Sequence, residues 1–157
     1  IDATYRTIAT RAGRCVEGFS MGGSGAAKWG FKHTDLFGTV SILAGALHDA
    51  ESITRRGGPS SIADTYGSVE RFNENSPWKL VEQNADAIKG RTTVRIVVGE
   101  KDGLSETNTR YHELLDQLGI EHEFHVIPNA THTPNPLYDG LGDANWAFFR
   151  KAFAGAS

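Results

Sequence analysis

Gly18-Phe19-Ser20-Met21-Gly22 is a G-x-S-x-G pentapeptide with a short apolar run before it and a helix-like run after it. In that setting a strand turns sharply into a helix and leaves the serine at the apex, an arrangement called a nucleophile elbow. Backbone strain is expected at Ser20, and side chains at Gly18 or Gly22 are expected to collide where strand and helix pass. In a chain with 18 glycines the pentapeptide alone is a weak signal, so its surroundings decide the reading.

Arg14 to Glu17 reads as the strand that enters the elbow. Met21 to about His33 reads as the helix that leaves it, its glycines lowering helix propensity but suiting close packing on a sheet. Upstream, residues 3–12 read as the end of a helix stopped by Gly13. Downstream, Gly38 to Leu43 is β-branched and apolar enough for a strand buried on both faces. Ala44 to Asn75 is irregular, with a loop at Arg55 to Ser61. Ser76 and Pro77 predict a helix start, with Val81, Ala85 and Ile88 inward and Gly90 as the stop. Thr93 to Val98 is a third strand. Ser105 is placed to cap a helix carrying Tyr111, Leu114, Leu115 and Leu118, which Gly119 closes. Glu121 to Ile127 alternates as an edge strand does. A last helix from about Leu141 to Phe153 is expected to bury Trp146, Phe149 and Phe153. Strands alternating with helices predict an α/β fold, a mostly parallel sheet covered on both faces.

With 157 residues, 39% hydrophobic and 22% charged, the chain suits one domain with a sizeable core. The net charge of −3 comes with no basic run, so nothing points to nucleic acid or to an anionic membrane surface. Apolar stretches are too short to span a bilayer. Cys15 is the sole cysteine, which excludes a disulfide within the chain and a cysteine-based metal site. No cofactor or metal is implied.

Loops at the carboxyl ends of parallel strands converge on one edge, where ligands bind. Ser20 follows the first strand, Asp102 the third and His132 the fourth. A serine hydroxyl is a poor nucleophile until a base takes its proton. His132 would do so, Asp102 would orient the imidazole, and the backbone N–H of Met21 would donate to the oxyanion. Asp49, beyond the second strand, is a rival for the acid, with Asp102 favoured. His48 comes too early for the base, and His33, His112, His122 and His125 read as solvated loop histidines. Cys15 and Glu17 read as structural, and Phe19 and Leu104 are candidate substrate contacts.

Three stretches carry a family resemblance: Val16 to Ala27, His33-Thr-Asp-Leu-Phe-Gly38 and Val98-Gly-Glu-Lys-Asp-Gly103. Together they resemble the esterase family of α/β-hydrolases that includes feruloyl and acetylxylan esterases, S-formylglutathione hydrolases and mycolyltransferases. The resemblance covers most of the chain, and Gly-Phe-Ser-Met-Gly-Gly is its most specific part. It implies Ser20 as nucleophile, Asp102 as acid and His132 as base, although Thr131 stands where a small residue is expected before the histidine. It also implies a small-molecule or plant cell-wall sugar ester as substrate. A serine peptidase or acyltransferase with the same triad, or a non-catalytic module on the same fold, are the competing expectations. Family members carry several strands before the elbow, including the loop with the second oxyanion donor, whereas here 19 residues precede Ser20. Residues 1–157 therefore read as the C-terminal catalytic half of one hydrolase domain. The expected partner is an N-terminal segment of the same protein, in a longer chain or as a second one.

Overall fold

A computed structural model describes residues 1–156. Four strands, β1 (Cys15–Phe19), β2 (Thr39–Leu43), β3 (Thr93–Gly99) and β4 (His122–Ile127), form one sheet in the order β1-β2-β3-β4, with every pair parallel. The parallel α/β architecture expected from the alternating elements is the one found. The central strands are the most apolar. All five residues of β2 are buried, as are six of the seven in β3, and β1 and β4 lie at the edges.

Helix α1 (Met21–Lys32) packs on β1 and β2 through Gly23, Ala26, Ala27, Gly30 and Phe31. The small residues let it approach closely, since a Cβ at Gly23 would stand 2.9 Å from the Gly45 Cα. On the same face Ala27, Phe31, Val40, Ile42, Val94 and Ile96 join Tyr111 and Leu115 in the larger core cluster. Around Leu43, Val97, Ile127 and Leu137 a second cluster lies closer to the carboxyl ends of the strands. No helix among the described residues is long and apolar enough to cross a membrane.

Several local expectations are corrected. Residues 3–10 are exposed turns, not a helix, and only a 3-10 turn at Arg11–Gly13 precedes β1. Without an apolar face to bury, a short segment with three threonines has too little to hold it helical. Side-chain bonds organise it instead, Thr7 donating to Asp2 at 2.7 Å and Arg14 to Asp2 at 2.6 Å.

The stretch read as irregular holds three short helices, α2 (Ala50–Gly57), α3 (Ser61–Tyr66) and α4 (Val69–Asn73). Their caps were local signals: Asp49 accepts from Ser52 N at 2.7 Å, and Ser68 from Arg71 N at 3.1 Å. The next helix breaks at Asn84 into α5 (Pro77–Gln83) and α6 (Ala85–Ile88), where the Asn84 amide donates to the Leu80 carbonyl. Ser76 stands at the cap position of α5 without a capping bond.

Ser105 does not cap α7 (Ser105–Gln117); it is its first residue, behind Leu104. At the other end Gly119, at φ +68°, closes α7 as expected, with Gly119 N on Asp116 O and Ile120 N on Leu115 O.

A helix the sequence does not suggest, α8 (Pro134–Leu141), precedes the last one, α9 (Asp143–Phe153), which stands where expected beyond a hinge at Gly142 with φ +50°. Its buried face is also rotated from the expected one. Phe148 is buried, Phe149 partly so, and Trp146 is 61% exposed. Arg95 causes this: fully buried in β3, it lies under the rings of Phe148 at 4.4 Å and Phe149 at 4.9 Å. A guanidinium without water gains by facing aromatic rings, and Phe148 and Phe149 supply two.

Candidate active site

Ser20 sits between β1 and α1 with φ +59° and ψ −117°, a conformation L residues rarely adopt. Tertiary bonds fix it: Ser20 N donates to Leu43 O, and Ser20 O accepts from Ser24 N and Ala46 N. The expected strain is there, but the glycine argument holds unevenly. A Cβ at Gly18 would overlap the Gly22 carbonyl, whereas a Cβ at Gly22 would meet nothing within 4 Å. The tight partner in the helix is Gly23, against Gly45.

Asp102 and His132 come from loops laced to each other. After β3, Glu100 N donates to Ile127 O and Lys101 N to Ala130 O, both at 2.9 Å. The Glu100 carboxylate returns the contact, accepting from Asn129 N at 2.8 Å at the φ +59° turn before His132. These bonds bring the ends of β3 and β4 together. His132 Nδ1 donates to Asp102 Oδ2 at 2.8 Å. Its Nε2 is then the acceptor for the Ser20 hydroxyl, also 2.8 Å away. Asp102 is buried and its second oxygen accepts from Leu104 N at 2.8 Å, so both of its oxygens are held. The Phe19 ring packs on the imidazole with centroids 4.7 Å apart.

Asp49, the rival acid, is elsewhere. It caps α2 and pairs with Arg110 at 2.8 Å. Burial pushes its carboxyl up, but the bonds from Ser52 and Arg110 outweigh that and hold it below the usual carboxylate range. His48 stands 3.5 Å from an Arg56 nitrogen; burial, then the Arg56 charge, hold its imidazole below the ordinary range. Neither bonds to the Ser20–His132 pair.

Met21 opens α1, so its N–H is one of the first-turn donors with no partner in the helix. Beside it lies a cleft of about 790 Å³, lined among others by Lys28, Trp29, His48, Tyr66, Arg71 and Phe72. Part of its wall comes from the short helices α3 and α4, through Thr65, Tyr66, Arg71 and Phe72. Phe19 and Leu104 do not line it: Phe19 lies against His132, and Leu104 turns its N–H to Asp102.

Two polar networks were missed, one buried and one reaching the surface at Glu17 and Tyr138. Asn108 bonds to Gly45 through both amide atoms and donates to Leu104 O, tying α7 to the loop beside Ser20. A signal existed: Asn108 falls three and seven residues before Tyr111 and Leu115, on the buried stripe of α7. The second network spans the sheet. Glu17 accepts from Ser41 at 2.7 Å, Arg95 at 2.8 Å and Tyr138 at 2.9 Å. Burial, then the bond to Glu17, push the Tyr138 phenol up to about 12. Cys15 is likewise pushed up to about 12, by burial and then by the Glu17 charge.

The family model described as "Putative esterase" matches residues 1–157. Among curated proteins, Esterase MT1326 and Esterase Rv1288, from two strains of Mycobacterium tuberculosis, are each 27% identical over 155 residues. The match covers 83% of this chain and 33% of theirs, so the chain spans about one third of the length of these relatives. Among solved structures the chain is similar to a ferulic acid esterase, with TM-score 0.72 and 23% identity over 98% of this chain and 57% of that one. It is also similar to an S-formylglutathione hydrolase from Staphylococcus aureus, with TM-score 0.73 and 19% identity over 96% of this chain and 59% of that one. Both likenesses bear on the fold, which is that of the α/β-hydrolases.

Proposed function

The chain belongs to this esterase family, and we propose that it hydrolyses carboxylic esters through Ser20, His132 and Asp102. The observation that carries the reading is the unbroken pair of 2.8 Å hydrogen bonds from Asp102 to His132 to Ser20, on a serine held at φ +59°. Each step follows from that geometry. Ser20 Oγ attacks the acyl carbon while its proton passes to His132 Nε2. Asp102, buried and doubly bonded, keeps Nδ1 protonated and stabilises the imidazolium. The oxyanion of the tetrahedral intermediate forms beside the Met21 N–H. His132 then gives its proton to the departing alcohol, leaving the acyl group on Ser20. A water, deprotonated by the same Nε2, attacks the acyl carbon, and collapse returns the proton to Ser20 and frees the acid.

The substrate class we infer is an ester with a small or aromatic acyl group of the feruloyl or acetyl type, on a sugar or another small alcohol. Support comes from the ferulic acid esterase among the similar structures and from Trp29, Tyr66 and Phe72 in the cleft beside Met21. Phe19, against the imidazole, and Leu104, beside the acid, would border the reacting group.

The test compares p-nitrophenyl acetate, methyl ferulate and a peptide amide, with fluorophosphonate labelling of the wild type and of Ser20→Ala. Ester turnover and labelling that both vanish in Ser20→Ala are expected. Peptide cleavage without ester turnover would move the reading to a peptidase. Absent labelling of the wild type would leave only a binding role.

A further inference from the structure

The end of the sheet opposite Ser20 holds a group of side chains that ester chemistry does not use. His122 opens β4, whereas the reacting groups stand beyond the carboxyl ends of the strands. His112 and Asp116 lie one turn apart on α7, and the turn at Gly119 reverses the chain so that His122 faces them. His112, His122 and His125 are not the solvated loop residues the sequence suggests. The His122 side chain is 2% exposed. The His112 ring stacks on Phe124, centroids 4.3 Å apart at 16°. His125, also on β4, faces Glu123 at 3.2 Å, and His33 stacks on Trp29.

We propose that His112, Asp116 and His122 bind a divalent transition-metal ion of the zinc class. Their ligand atoms all lie within 4.8 Å of one another. His122 Nδ1 donates to the Ile120 carbonyl at 2.8 Å, which leaves Nε2 as a lone-pair site aimed at His112 Nδ1, 2.7 Å away. A ring nitrogen anchored to a backbone carbonyl while the other is free is how ligating imidazoles are held. The Asp116 carboxylate now sits at the other edge of the His112 ring, Oδ2 3.5 Å from Nε2, and its 62% exposed side chain has room to turn toward the Nδ1 side. Two imidazoles and a carboxylate suit zinc, cobalt or nickel and not magnesium.

The fit requires a turn of the Asp116 carboxylate and a small shift of the rings. Bonds of about 2.0–2.1 Å in a tetrahedron put ligand atoms about 3.3 Å apart. The two imidazoles therefore need to part by about half an ångström, which the partly exposed His112 ring can supply. A cleft of about 520 Å³, lined by Asp116, Glu121, His122 and Glu123 among others, gives an entry path and room for water in the fourth position. A bound ion would clamp α7 to β4. These elements flank the loops of Asp102 and His132, so the clamp would hold them from the far end.

The test uses the untagged protein titrated with Co²⁺, read by the visible absorption of the tetrahedral ion and by the shift in Tm. One equivalent is expected, displaced by Zn²⁺ and indifferent to Mg²⁺. His122→Gln and Asp116→Asn should each weaken binding at least about tenfold, while His132→Gln keeps it. Because His122 is buried, His112→Asn serves as the second ligand variant, with circular dichroism checking its fold. Absence of both the absorption and the Tm shift would overturn the proposal, leaving a proton shared between the two imidazoles. So would binding that survives the folded ligand variants, or binding lost in His132→Gln, which would put the ion at the serine site.

Discussion

Gly18→Ala tests the elbow most sharply, with Gly22→Ala as its partner. A methyl at Gly18 would overlap the carbonyl carbon and oxygen of Gly22, well inside the 3.0 Å that real Cβ contacts respect. Those atoms are backbone, so they cannot swing aside. Relief needs β1 and α1 to part by most of an ångström, and Ser20 stands between them. Its 2.8 Å bond to His132 would then stretch to about 3.5 Å or more, where a hydrogen bond is lost. Two costs follow. Overpacking lowers stability by about 1–3 kcal/mol. Displacing the nucleophile lowers kcat/KM by on the order of 10²-fold, about 2.7 kcal/mol of barrier. Gly22→Ala meets nothing within 4 Å and lies inside α1, so it should keep activity and gain up to about 1 kcal/mol of helix propensity. Urea unfolding gives the stability, and fluorophosphonate labelling rates with ester kcat/KM give the activity. A Gly18→Ala variant with wild-type stability and rate, or equal damage from Gly22→Ala, would refute the close-packing account.

Asp102→Asn should lower kcat on the order of 10⁴-fold, because the amide favours the wrong imidazole tautomer. Asp49→Asn should keep kcat and lose less than about 1 kcal/mol of stability, since asparagine still caps α2 and only the part-exposed ion pair with Arg110 goes, and the reverse ranking would move the acid to Asp49. That Asp49 contribution is carried by a lowered carboxyl pKa, so it is present above the unfolded value of 3.8 and fades as pH falls through the folded one. The Cys15 thiol, pushed up to about 12, should resist iodoacetamide at neutral pH until the chain unfolds; fast labelling of the native protein would contradict its burial. Glu17→Ala, which leaves the fully buried Arg95 without its carboxylate, should cost about 3 kcal/mol in urea unfolding.

The sequence by itself determined what depends on near neighbours. The elbow at Ser20, the four strands, the stop at Gly119 and the succession of Ser20, Asp102 and His132 on strand ends all rest on patterns a few residues long. Backbone propensity and hydrophobic period act over that range. Tertiary structure decided what depends on the surface lying opposite. Only the lacing of Glu100 and Lys101 to the loop after β4 determines that Asp102, and not Asp49, meets His132. Only Arg95 beneath α9 selects Phe148 over Trp146 as the buried ring, since both fit a helical period. Residues 3–10 failed to be a helix because they stay exposed, with no apolar face to bury. His112 and His122, ten positions apart in two elements, meet because the turn at Gly119 folds one onto the other. A residue's burial and partners belong to the packed chain, and no local window contains the other half of the contact.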